Sequence, residues 1–223
     1  MKSLFQWIKI EKIPEVLAPS YEKAARMVVE SFYRKIADEI LSGFKAGLVL
    51  DLGTGPGYLP IEIAKRSPKI KIVGIDLCEK LIHIARANAA AAGLSDQLSF
   101  EIGNAARLRF QDASFDMVIS TGMLHSLKEP VKVFREIHRL LKKDARAWIL
   151  DPASVASLIN RKEWWASLSF RDRFFLRLFK ALGLHRPIKP YTRNQITPMI
   201  RAAGFQRFAI DETAEEIKIV LEK

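Results

Sequence analysis

Three glycines, Gly53, Gly55 and Gly57, follow the apolar run Leu48-Val49-Leu50-Asp51-Leu52 and precede a helical pattern carrying Leu59, Ile61 and Ile63. Glycine lets a backbone approach a ligand without a Cβ in the way, and a helix starting behind such a turn points its free N–H groups at whatever is bound. The turn suits a nucleotide or another anionic group. A second apolar run, Val73-Gly74-Ile75, ends on Asp76, 21 positions beyond Gly55, where a carboxylate can accept bonds from both hydroxyls of a ribose. A dinucleotide turn has its third glycine where Tyr58 stands; here the glycine comes one residue early. Asp51 adds a second carboxylate two residues ahead of the first glycine.

Positioning these residues takes alternating strands and helices. Residues 20–41 place Ala25, Val28, Val29, Phe32 and Ile36 on one face of a leading helix, with Ser20 as its N-cap after Pro19. Strands are expected at 48–52, 70–75, 98–102, 115–120 and 145–150. Helices follow the glycine turn, run over 79–92 to a stop at Gly93, and start behind Pro130 with Val133, Phe134, Ile137, Leu140 and Leu141 inward. Pro60 fits the first helical turn, where its missing N–H has no partner to lose. Such alternation makes βαβ units and a parallel sheet with helices on both faces, an α/β protein. A helix over 192–203 ends at Gly204 and is expected to kink at Pro198. Segments 206–210 and 217–221 are close enough to pair as an antiparallel ribbon.

The string Val49-Leu50-Asp51-Leu52-Gly53-Thr54-Gly55-Pro56-Gly57 resembles the first motif of class I S-adenosylmethionine (SAM)-dependent methyltransferases, an acidic residue followed by G-x-G-x-G. Val73-Gly74-Ile75-Asp76-Leu77 resembles the second motif, and Ile102-Gly103-Asn104-Ala105 the third with asparagine for the usual aspartate. Phe115 to Leu127 resembles the fourth strand and the loop beside the transferred methyl group. The likeness covers roughly 20–150 and resumes near 190, and is nearest to small-molecule enzymes related to quinone-biosynthesis methyltransferases. It implies a Rossmann-like seven-stranded mixed sheet of order 3-2-1-4-5-7-6, with a helical lid inserted after strand 5. It implies SAM as cofactor, held by Asp51, Gly53, Thr54, Gly55, Gly57, Tyr58, Asp76, Leu77, Asn104, Ala105, Ser120 and Thr121, with Tyr21 over it from the leading helix. The Lys-Pro-Gly-Gly turn of the family is here Lys142-Lys143-Asp144-Ala145.

Methyl transfer from a sulfonium needs an acceptor held in line with the S–CH3 bond and water excluded. A general base is needed only for a protonated acceptor, and His125, in the loop beside the methyl group, and Asp151 are the candidates. No compact His/Cys/Asp/Glu spacing builds a metal site. Two other readings stay open: a SAM-binding partner subunit without catalysis, and an NAD(P)-dependent oxidoreductase, which Tyr58 and the downstream motifs oppose.

The chain has 223 residues, one cysteine and a formal charge of +11. A single cysteine, Cys78, cannot form an internal disulfide, and 1–10 lacks the continuous apolar stretch of a secretory signal, so a cytoplasmic protein is expected. The domain divides into an N-terminal helical cap (1–43), a cofactor-binding core (44–151), a helical insertion (152–190) and a C-terminal helix with antiparallel strands (191–223). In the insertion Phe175, Leu178, Phe179 and Leu182 fall at helical spacing, with Arg173, Arg177 and Lys180 on another face. This basic amphipathic helix suits a lid over a small-molecule acceptor, a membrane contact through 164–182, or a nucleic-acid surface. A fourth-strand exit reading Ser-Thr-Gly-Met argues against methylation of base amino groups. Oligomeric state is not legible.

Overall fold

The computed structural model describes residues 11–152, 161–181 and 191–223. Strand β1 (Gly47–Leu52) lies at the centre of a seven-stranded sheet of order β3-β2-β1-β4-β5-β7-β6, the expected order. It pairs in parallel with β2 (Ile70–Asp76) on one side and β4 (Phe115–Thr121) on the other. β3 (Leu98–Ile102) extends the sheet beyond β2, and β5 (Leu141–Pro152) extends it beyond β4. The expected ribbon is present: β6 (Arg207–Glu212) pairs antiparallel with β7 (Glu216–Glu222), which joins antiparallel to β5.

Side chains of successive strand residues point to opposite faces, so each strand supplies two cores. Leu50, Leu52, Val118, Ala147 and Ile149 meet Phe134 and Ile137 of α5 (Pro130–Leu140) and Ile196 and Ile200 of α8 (Arg193–Ala202). Val49, Ile119 and Trp148 on the opposite face meet α2 (Arg34–Gly43), α3 (Tyr58–Ala64) and α4 (Glu79–Ala91) through Ile36, Ile40, Ile61, Ile63, Ile82 and Ala85. Neighbouring connections leave β1 for opposite faces, opening a crevice at the carboxyl ends of β1 and β4, where open α/β sheets bind ligands.

Three local expectations are corrected along the helices and strands of the core. The leading helix is divided: α1 (Ala18–Met27) is followed by a π-turn over Val29–Tyr33 before α2. Proline fits the first turn, so α1 starts ahead of Pro19, and Ser20 lies inside it with a buried hydroxyl that caps nothing. The fifth strand begins at Leu141 instead of 145. Pairing passes from Phe115↔Leu141 to Met117↔Arg146 across a bulge in which Asp144 takes φ 60 and donates its N–H to Lys223 O. Pro198 lies within α8, on its exposed side.

The last correction concerns the insertion, which contains α6 (Arg161–Ser167) and α7 (Phe170–Ala181). α7 turns Asp172 inward, 6% exposed, bonded to Ser169 and 3.7 Å from Lys23 Nζ. That anchor rotates the expected face: Phe175 is half-buried, but Leu178 is exposed together with Phe170 and Phe174. Leu182 lies outside the described residues. The two helices rest on α1 and on Glu15–Leu17, with Trp164 Nε1 donating to Ser20 O at 3.2 Å and Lys23 Nζ to Ser167 O at 2.9 Å.

Candidate functional site

The crevice holds a cavity of about 240 Å3. Its floor is the glycine turn. Gly53 N and Thr54 N donate to Ile75 O at 2.8 and 3.0 Å, tying the turn to the end of β2. Gly53 takes φ 74, and a Cβ there would lie 3.0 Å from the Met123 side chain. Gly57, φ 79, is demanded instead by packing, since its Cβ would meet the Phe100 ring and Ala85. Asp76 lines the cavity and braces the turn: Oδ2 accepts from Gly55 N at 3.0 Å and Oδ1 from Cys78 N at 2.8 Å. Burial raises its pKa, and the backbone N–H groups of Cys78, Gly55 and Leu77 partly offset the rise.

Beneath the turn, Asp51 is 2% exposed and its Oδ1 has no hydrogen-bond partner, nor has the buried Thr54 hydroxyl. Burial pushes the Asp51 pKa up to about 7, and the charge of Asp76 adds to the rise. A buried carboxylate left unsatisfied is costly, and one beside a cavity suits a cationic group entering it. Glu11 brings a third carboxylate, and neither Lys nor Arg lines the cavity among the described residues. A pyrophosphate would meet repulsion here, whereas an ammonium or sulfonium would not.

Over the turn stands Tyr21, whose ring carbon would be 3.4 Å from a Cβ at Gly55. Tyr21 is 38% exposed over its whole surface, but its hydroxyl end lies among protein atoms, and burial, then Asp76 and Asp51, pushes its pKa up to about 12. Leu77, Gly103, Asn104 and Ala105 form the side wall. Asn104 Oδ1 already accepts from Ala106 N at 2.8 Å, which leaves one lone pair and the amide NH2. Thr121 and Met123 bound the far side.

At that far end His125 lines the cavity, and its ring and backbone both engage Asp151. Asp151, 0% exposed, accepts from His125 Nδ1 at 2.9 Å through Oδ1 and from His125 N at 3.0 Å through Oδ2. A carboxylate can only accept, so the neutral ring carries its proton on Nδ1 and keeps Nε2 as a free acceptor.

Residues 44–204 match the family described as a methyltransferase domain. The chain belongs to that family. Among its curated relatives is a ubiquinone/menaquinone biosynthesis C-methyltransferase of Geotalea uraniireducens, 27% identical over 147 residues, 64% of this chain and 63% of the relative. A demethylmenaquinone methyltransferase of Deinococcus radiodurans is 33% identical over 144 residues, 63% of this chain and 59% of the relative. The chain thus spans about six-tenths of the length of these curated relatives. A solved structure of a SAM-dependent methyltransferase from Aquifex aeolicus superposes with TM-score 0.68 at 20% identity, covering 95% of this chain and 99% of that one, a likeness of fold.

Against this methyltransferase frame, the expected site residues separate into three groups. Gly53, Tyr21, Asp76, Leu77, Asn104, Ala105, Thr121 and His125 line the cavity together. Asp51, Thr54, Gly55, Gly57 and Asp151 support it from behind or below, as does Ser120, whose Oγ donates to Leu52 O at 2.9 Å. Tyr58 is not brought in: its hydroxyl donates to Glu22 Oε1 at 2.5 Å and accepts from Arg26 Nε at 3.1 Å, latching α1 to the start of α3. The sequence missed Glu11, Ile13, Phe32, Tyr33 and Met123 as lining residues. Phe32 and Tyr33 lie in the π-turn, which shifts the helical phase and swings them toward the cavity, a change no 3.6-residue periodicity reveals. Among the described residues no group of three His, Cys, Asp or Glu could hold a metal ion.

Proposed function

We propose that this protein transfers a methyl group from SAM to a small aromatic acceptor of the quinol type, with His125 as general base. The observation that carries the cofactor is the orphaned, buried Asp51 carboxylate beneath a cavity that has no lining cations among the described residues. It fits the ammonium of the methionine moiety, and Asp76 fits the ribose hydroxyls while bracing the turn. Leu77 and Ala105 offer apolar surface to an adenine and Asn104 a polar edge. Thr121 borders the methionine part above Ser120. SAM, when bound, supplies an electrophilic methyl on its sulfonium.

The acceptor end supports the rest. Ile13, Phe32, Tyr33, Met123 and Leu127 form an apolar, aromatic wall beside His125, whose Nε2 can accept a proton. An aromatic hydroxyl facing that nitrogen loses its proton as its oxygen or the adjacent ring carbon becomes nucleophilic, and the ring Nδ1–H held by Asp151 stabilises the imidazolium that forms. The quinone methyltransferase activities by which the Geotalea and Deinococcus relatives are named support an acceptor of this class. α1, latched through Tyr58, together with Tyr21 and Tyr33 excludes water from the reacting end. Incubating the protein with SAM and a panel of reduced hydroxynaphthoquinones and benzoquinols, with mass spectrometry for a gain of one methyl, tests the reading. Methylation of a quinol and none of phosphorylated or amine acceptors is expected; methylation of amines alone would overturn the acceptor class.

A further inference from the structure

We infer that α7 is a docking helix for the surface of an anionic lipid bilayer, an inference independent of the reaction assigned above. At about 3.6 residues per turn, Phe170, Phe174 and Leu178 stack along one face of α7, and they are 86%, 54% and 38% exposed. Arg171 and Arg177, both exposed, flank the stripe on its two sides, so the face spans roughly 120° of the helix circumference. The Arg177 guanidinium lies 5.6 Å from the ring centre of half-buried Trp165, which places an indole beside the stripe. Apolar side chains bracketed by arginines, with a tryptophan alongside, form the pattern of a helix lying in the plane of a membrane interface.

The opposite face of α7 is already used. Asp172 is buried against Ser169 and Lys23, and the helix rests on Glu15–Leu17, so the stripe points away from the body of the protein. Charge selects the occupant. Asp172 is the single acid in α7 and it is turned inward, so a second copy set face to face would oppose arginines to arginines with no exposed carboxylate of α7 between them. An anionic surface neutralises both arginines, and the net charge of +11 draws the whole protein toward it. No helix among the described residues is long and apolar enough to cross a membrane, so the contact is one of surface insertion. α7 sits on the segment that leads back to Ile13, a lining residue of the cavity, so docking would bring the acceptor end close to the lipid.

The test is flotation of the full chain with phosphatidylcholine vesicles, with and without phosphatidylglycerol, at low and moderate salt. Two double variants are compared: Phe170→Ser with Phe174→Ser, and Arg171→Glu with Arg177→Glu. A third, Lys69→Glu with Lys143→Glu, changes the net charge by the same amount at the amino-terminal rim of the sheet. Binding to anionic vesicles that falls about tenfold or more in the first two variants and stays near wild type in the third is expected. Equal weakening by the third variant would reduce the attraction to diffuse charge and overturn the proposal. So would absence of vesicle binding, or a dimer in light scattering that the phenylalanine variant dissociates.

Discussion

Replacing Asp51 with asparagine separates what the cavity costs the fold from what it gives the ligand. In the folded protein the Asp51 pKa is raised to about 7 from 3.8, chiefly by burial. A carboxyl group whose folded pKa is raised binds its proton more tightly in the native state, so wild-type stability falls as pH rises from about 4 to 7 and is level above that. The shift of about three units corresponds to roughly 4 kcal/mol at pH 8, an upper limit because asparagine is also polar and buried there. Asp51→Asn should therefore raise the stability of the ligand-free protein at pH 8 by about 2–4 kcal/mol, or roughly 5–15 °C in Tm for a domain of this size. The gain should vanish near pH 4, where both forms are neutral. SAM binding should move the opposite way, weakening in the variant by about two orders of magnitude through loss of the ammonium partner. Wild-type affinity should itself decline below pH 7, by up to about tenfold per unit, as binding must first remove the Asp51 proton. Differential scanning fluorimetry across pH, with calorimetric titration on the same samples, reads both effects. An asparagine variant less stable than wild type at pH 8, or one that binds SAM unchanged, would refute this account of Asp51.

Other substitutions probe the remaining parts. His125→Gln should lower kcat for a quinol acceptor by about 10²- to 10⁴-fold with little change in SAM affinity, read by steady-state kinetics; a loss confined to KM would assign the residue to binding. Tyr58→Phe removes the Glu22 and Arg26 contacts and should cost about 1 kcal/mol in a denaturant titration, with the intrinsic affinity for SAM nearly intact. A loss of SAM affinity far beyond that would return Tyr58 to the cofactor site. Gly53→Ala combines a left-handed backbone with a Cβ 3.0 Å from Met123 and should cost about 1–2 kcal/mol in stability and weaken SAM measurably, by calorimetry.

What was legible in the sequence was local. The strand, glycine turn and following helix, with Asp76 at the end of the next strand, are read from neighbouring residues, and the structure assembles them in the expected order. The class resemblance supplied the sheet order that periodicity leaves open. What was not legible depends on contacts distant in sequence or on an irregular backbone. The sequence offers Asp151 and His125 separately, and only the meeting of β5 with the loop after β4 makes them a bonded pair. Tyr33 was missed because the π-turn breaks the regular phase. The hydrophobic spacing misplaces the buried face of α7 because Asp172, held by Ser169 and Lys23, overrides it. The place of Tyr58 beside the turn suggests the cofactor, whereas Glu22 and Arg26, from a helix earlier in the chain, engage its hydroxyl.

Calorimetric titration of ligand-free protein with SAM, S-adenosylhomocysteine and NADH, alongside Asp76→Ala, tests the cofactor assignment most directly. Both adenosyl ligands should bind, NADH should not, and Asp76→Ala should lose affinity because it removes the ribose acceptor and the brace on Gly55. Binding of NADH alone, or of none of the three, would contradict the assignment of this cavity to SAM.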